Sequence, residues 1–150
     1  MKPYLLDINV LLALTWTFHV HHSACHAWFA RARTAGFCTC PLTQIGLVRL
    51  SSNPAFTKKA VPPTEALAML VDITRLPEHR FWPADLPPEQ AFRGAGINSH
   101  HQVTDAYLLG LAKARGGIFA TLDRGVRALD PATDALEIIG GFDPGAGQSM

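Results

Sequence analysis

The sequence predicts an α/β fold, a central parallel sheet flanked by helices on both faces. Three observations carry that expectation. Short apolar runs of strand length alternate with segments of helical periodicity along the whole chain, the pattern of βαβ units. Of the 150 residues, 48% are hydrophobic and 17% charged, the composition of a chain that buries a core. No internal repeat or linker divides the chain, so residues 1–140 read as one domain and residues 141–150, rich in glycine, as a flexible C-terminal tail.

The elements follow in order. Residues 3–7 form a short buried strand, and Asn9 to Leu14 has helical density. After a break near Thr15 to Val20, His21 to Ala32 is amphipathic, with Ala24, Ala27, Trp28 and Ala32 on one stripe and Gly36 as its stop. Phe37 to Cys40 is a second strand. Pro41 and Thr43 open a helix through Leu50, proline being tolerated in the first turn. Ser51-Ser52-Asn53-Pro54 signals a loop, and Pro62-Pro63-Thr64-Glu65 starts a helix running to Leu76. His79 to Trp82 is a third strand, and residues 83–100 read as a long surface loop with one helical turn. A helix over Gln102 to Arg115 stops at Gly116-Gly117. The strand Ile118 to Leu122, a short helix near Arg124 to Leu129 and the strand Ala135 to Ile139 complete the pattern.

Composition also sets bounds on partners. A formal net charge of +1 does not advertise a nucleic-acid-binding face, although a local patch can hide within a neutral total. The longest apolar run, Leu5 to Trp16, is interrupted by Asp7 and Asn9 and is too short to span a membrane. Met1-Lys2-Pro3 leads into a strand without a signal-peptide layout, so the expected location is cytoplasmic. Three cysteines, an odd number, do not form a disulfide framework, and Cys25, Cys38 and Cys40 read as buried thiols.

Three carboxylates stand where strands meet helices. Asp7 ends Tyr4-Leu5-Leu6, Asp123 closes Ile118 to Leu122, and Asp105 heads the apolar helix from Ala106. Singly, each is explained as a turn or helix cap, because an aspartate accepts backbone N–H bonds there. Jointly, they point to the open end of a parallel sheet, where α/β proteins bind ligands. An all-carboxylate site suits Mg2+ or Mn2+ better than zinc, and such an ion serves displacement at phosphorus.

These residues carry a family resemblance. Leu5-Leu6-Asp7-Ile8-Asn9-Val10-Leu11-Leu12 resembles the opening motif of PIN domains, Thr104-Asp105-Ala106-Tyr107-Leu108 their third acidic motif, and Ala120-Thr121-Leu122-Asp123-Arg124 the fourth. Pro41 to Arg49, with Ser52-Asn53-Pro54 after it, resembles the second motif of one branch of VapC-type toxins. The resemblance covers about residues 3–140 and implies a PIN-like fold and a Mg2+-dependent ribonuclease. It further implies the toxin half of a type II toxin–antitoxin pair with a VapB-type antitoxin, often as a homodimer. Asp7 and Asp105 match the family's metal-binding aspartates, Asp123 a further acidic member, and Asn9 and Thr121 supporting positions. The chain departs from the pattern at Gly46, where the second motif usually carries a glutamate. The nearest polar side chain, Gln44, lies roughly 200° around the helix and carries no charge. That departure keeps open a weak or inactive PIN domain that only binds RNA or a partner. A haloacid-dehalogenase-like phosphatase also starts with an aspartate after a strand, but needs a second one where this chain has Asn9.

Other groups have competing readings. His19, His21, His22, Cys25 and His26 are either a zinc site, a solvated histidine run, or side chains that position RNA beside Asp7. His100 and His101 are proton-transfer groups or plain loop residues. Arg49, Arg93, Arg124 and Arg127 are phosphate contacts or surface charges, with Arg124 best placed beside Asp123. Trp16, Trp28, Phe81 and Trp82 are expected in the core or an interface.

Overall fold

The structure, a computed structural model, describes residues 1–140; the expected tail lies outside the described residues. Five strands, β1 (Tyr4–Leu6), β2 (Phe37–Thr39), β3 (His79–Phe81), β4 (Ile118–Thr121) and β5 (Leu136–Ile138), form one sheet in the order β3-β2-β1-β4-β5. Every pairing is parallel, with Leu5 opposite Cys38 on one side and Phe119 on the other. The helices are α1 (Ile8–Thr15), α2 (His22–Ala32), α3 (Pro41–Ser51), α4 (Pro63–Thr74), α5 (Pro88–Ala91) and α6 (Val103–Ala114).

The alternation of side chains along a strand splits the core in two. Leu6, Phe37 and Ala120 face a cluster built with Val10, Trp28, Leu47 and Leu70 of α1 to α4. Leu5, Cys38 and Phe119 face a second cluster built with Ala91 of α5 and Leu108, Leu109 and Leu111 of α6. Helices therefore cover both faces, as the sequence predicts. The three thiols are buried, and burial pushes those of Cys25 and Cys38 up to about 12, which leaves them inert at neutral pH.

The structure corrects several local expectations. The buried stripe of α2 is Cys25, Trp28 and Phe29; Ala24 and Ala27 face solvent, because the larger side chains claim the inward face. Ser51 ends α3 rather than opening the loop. Its hydroxyl accepts the indole N–H of Trp16 at 2.9 Å, a buried bond that ties the end of α3 to the loop after α1. Arg124–Leu129 is a 3-10 segment rather than an α-helix. Phe81 is 53% exposed on β3, while the three tryptophans are buried. Gly36 turns the chain into β2 with φ of 93°, a conformation that costs a glycine little.

Candidate active site

The sheet order reverses at β1, and the crevice at that switch point opens beyond the carboxyl ends of β1 and β4. Asp7 directly follows β1, and its N–H donates to the carbonyl of Ala120 at 2.9 Å, which joins it to the neighbouring strand. Asp123 lies two residues beyond β4, and Asp105 sits in the first turn of α6. All three line one cleft of about 230 Å3.

Asp7 is 6% exposed and caps α1. One carboxylate oxygen accepts the N–H of Ile8 and the other the hydroxyl of Thr121, both at 2.7 Å. Thr121, fully buried, is the hub of the site. Its oxygen donates to Asp7 and accepts the N–H of Asp123 at 3.1 Å and the amide of Asn9 at 3.4 Å. Asn9 in turn accepts the N–H of Leu122 at 3.4 Å. Asp123 turns back on its own segment, accepting the N–H of Gly125 at 2.8 Å. Asp105 has no hydrogen bond to its carboxylate among the described residues, and so faces the cleft with its charge unassigned.

Burial and mutual repulsion set the electrostatics. Burial pushes Asp7 up to about 6 against the opposing hydrogen bonds from Thr121 and Ile8, and Asp123 adds repulsion. Asp105 rises to about 7, first by burial and then by the charges of Asp7 and Asp123. No lysine or arginine lines the cleft, so nothing within it offsets this charge. Among the described residues, no three His, Cys, Asp or Glu side chains converge closely enough to coordinate an ion as they stand. The chemistry of the carboxylates is nevertheless that of a hard-cation site: oxygen donors only, and an uncompensated negative charge.

The remaining predicted residues divide. Asn9 and Thr121 hydrogen-bond within the cluster that holds Asp7 and Asp123. Gln44 does not reach the cleft: it donates to the hydroxyl of Thr39 at 2.9 Å, within a chain that continues to His79 at 2.7 Å. It lines a separate groove with Ile45 and Leu67, because the helix turns it away from Asp7. Arg124 is exposed at the start of its 3-10 segment and does not line the cleft. Arg127 is spent on the carbonyls of Thr133 and Leu136, and Arg49 lines the same groove as Gln44. His100 and His101 stack on each other outside the cleft. His22 donates to the carbonyl of Ala13 at 2.7 Å and packs on His26, an arrangement of helix-anchoring rings that gives no support to a zinc site.

Gly46 has a specific steric role. A Cβ there would lie 2.3 Å from Cδ1 of Ile8, so the side chain next to Asp7 occupies the room that an acid on α3 would need. Sequence reasoning found the missing acid but not the residue that fills its place. It also missed Phe56 and Leu50 as cleft walls, which only the packing of α3 and the following loop against α1 reveals.

Fold and cleft together define an α/β protein with an acidic site at the switch point of a parallel sheet. The chain belongs to the PIN domain family, whose model matches residues 4–131. It is 41% identical over 121 residues to Ribonuclease VapC39 of Mycobacterium tuberculosis, covering 79% of this chain and 87% of that protein. The fold is shared with VapBC2 from Rickettsia felis, solved bound to a DNA fragment from their promoter (TM-score 0.66, 11% identity, 92% of this chain and 99% of that one). It is shared as well with Mycobacterium tuberculosis VapC20, described as a Sarcin-Ricin loop cleaving toxin (TM-score 0.65, 14% identity, 85% and 95%). No helix among the described residues is long and apolar enough to cross a membrane.

Proposed function

We propose that this chain is a Mg2+- or Mn2+-dependent endoribonuclease, the toxin of a type II pair neutralised by a VapB-type antitoxin. The carrying observation is the meeting of Asp7, Asp105 and Asp123 in one cleft where burial and mutual charge hold two of them above the ordinary carboxylate range. The ribonuclease name of a relative 41% identical over most of the chain supports the same reading.

Asp7 and Asp105 would hold the cation, and Asp123 would complete the acidic site. Bound there, a divalent ion supplies charge neutralisation at phosphorus and a more acidic water. The chain's own part is orientation. Thr121 and the Ile8 N–H fix the carboxylate of Asp7, Asn9 and the Asp123 N–H fix Thr121, and the first turn of α6 presents Asp105. Asp105 also sits where the helix dipole favours negative charge. The RNA phosphate meets a cleft with no cationic side chain, so its approach depends on prior neutralisation of the carboxylates.

The test is cleavage of a panel of structured RNAs with and without Mg2+ or Mn2+, with Asp7→Asn and Asp105→Asn as controls. Cleavage that survives either substitution, or that needs no divalent ion, sinks the assignment. A second reading, a weak or inactive domain that binds RNA, is favoured by Ile8 filling the place of the acid at Gly46. Tight RNA binding without turnover would select it.

The partners follow from the family. An antitoxin, a second copy of the chain in a homodimer and a cytoplasmic location form the rest of the proposal. Ile45 (63% exposed) and Leu67 (51% exposed) share a groove between α3 and α4 and offer apolar surface for a protein partner. Residues 1–140 form the catalytic domain in this reading.

A further inference from the structure

The cleft that holds the carboxylates is also lined by His19, Val20 and His21 of the loop between α1 and α2, and by Leu50 and Phe56. Its volume of about 230 Å3 leaves room for more than a bare ion. Leu50 and Phe56 pack against the core on one side and line the cleft on the other, beside the exposed Val20, and a cation alone has no use for apolar surface there. They match a ligand with a charged end and a flat, apolar-faced end, which a nucleotide is.

The loop is built to hold its shape. Trp16 anchors its start through Ser51 and packs on Phe18 with ring centroids 5.0 Å apart. Lys59 lies 4.4 Å over the other ring of that pair, Phe18. His22 pins its end to Ala13. Between these anchors Val20 is 65% exposed, an apolar side chain presented to the cleft rather than to the core. The ring of His19 is fixed in orientation: Nδ1 accepts the N–H of His21 at 3.0 Å, so in the neutral ring the hydrogen sits on Nε2. Burial and the neighbouring His21 and His22 push His19 down to about 4, which keeps it neutral. It is thus a single-donor group on the rim of a negatively charged site.

Resting on the nuclease reading above, we infer that His19, Val20 and Phe56 form a nucleobase subsite that receives one unstacked base of a single-stranded RNA beside the scissile phosphate. Phe56 and Val20 supply the apolar faces, and the Nε2–H of His19 donates to a base or sugar acceptor. Aromatic and apolar platforms of this kind take splayed bases and cannot take bases locked in a duplex. His19 is a positioning residue here, with no part in the proton transfers of the reaction.

The test uses the full chain and a single-stranded RNA that it cleaves, the same strand annealed to its complement, and versions with an abasic ribose at each position in turn. One abasic position next to the cut is expected to raise KM about tenfold or more, and Phe56→Ala to abolish that sensitivity. His19→Asn keeps an acceptor for the His21 N–H but lacks a donor at the Nε2 position. It is expected to raise KM about two- to tenfold with kcat retained, and His19→Gln, which reaches that position, to recover most of the loss. Val20→Ser changes no core packing and covers the case in which a His19 variant fails to fold. Binding of the same oligonucleotides to the Asp105→Asn protein, read by fluorescence anisotropy, separates the two readings. Metal-dependent cleavage that tolerates abasic sites everywhere, with unchanged KM in His19→Asn and Val20→Ser, overturns the subsite and leaves the nuclease standing. A wild-type chain that neither cleaves nor binds single strands overturns both.

Discussion

Removing the hydroxyl of Thr121 is the sharpest perturbation of this site. Thr121→Val keeps the shape of a fully buried side chain but deletes an oxygen that serves three partners: Asp7 at 2.7 Å, the Asp123 N–H at 3.1 Å and Asn9 at 3.4 Å. A hydrogen bond to a charged group contributes about 1.5–3 kcal/mol, and a stranded buried N–H costs about 1–3 kcal/mol more if it stays dry. The added methyl offsets about 0.8 kcal/mol. A net loss of about 2 kcal/mol corresponds to a fall of about 4–8 °C in Tm for a domain of this size. The same hydroxyl opposes the rise of Asp7, so its loss drives Asp7 further up and weakens Mg2+ binding at neutral pH. Thermal unfolding and calorimetric Mg2+ titration measure both effects. The deficit shrinks as pH falls below about 6, where Asp7 takes up a proton in both proteins. Thr121→Ser keeps the hydroxyl, loses about 1 kcal/mol of methyl burial, and retains Mg2+ affinity. A valine variant with wild-type Tm and Mg2+ affinity, or a serine variant that behaves like valine, would refute the reasoning.

The other expectations are narrower. Asp7 and Asp105 lie above their ordinary value in the folded chain, so between about pH 4 and 7 the folded state binds more protons than the unfolded one. Stability of the metal-free protein therefore falls as pH rises through that window, and the Tm gain from Mg2+ is larger near pH 8 than near pH 5. Asp105→Asn raises the metal-free Tm at neutral pH while it abolishes cleavage, a trade between stability and function that melting curves and RNA assays read together. Gly46→Glu alone meets Ile8 and costs about 1–3 kcal/mol; paired with Ile8→Ala it regains stability and binds Mg2+ more tightly than wild type in the same titration. Gln44→Ala, which acts on Thr39 and not on the cleft, leaves Mg2+ affinity unchanged and costs about 1 kcal/mol in denaturant unfolding.

Much of the architecture was legible because periodicity reports it directly. The central strands β1, β2 and β4 read as short, largely buried apolar runs, and the helices between them carry their own spacing. Boundaries moved by a residue or two where fraying and capping decide them. The inward face of α2 was misread because alanine is tolerated on either side of a helix, whereas Cys25, Trp28 and Phe29 gain most from burial. Arginines are the least legible class, since whether Arg127 meets a phosphate or two backbone carbonyls depends on a turn that periodicity does not describe.

The sequence by itself determined the order of elements and the three aspartates, since each stands at a strand end or helix start that local pattern locates. Tertiary structure alone decided what surrounds them. The parallel register that sets Thr121 against Asp7 bridges 114 positions of chain, and the filling of the Gly46 gap depends on α1 crossing α3. Apolar residues of the cleft come from α3, which carries Leu50, and from the loops that carry Val20 and Phe56, segments distant in sequence from Asp105 and Asp123. Local propensity acts over a few residues, whereas burial, repulsion and hydrogen bonding act through space, so the chemistry of the cleft appears only once distant segments meet.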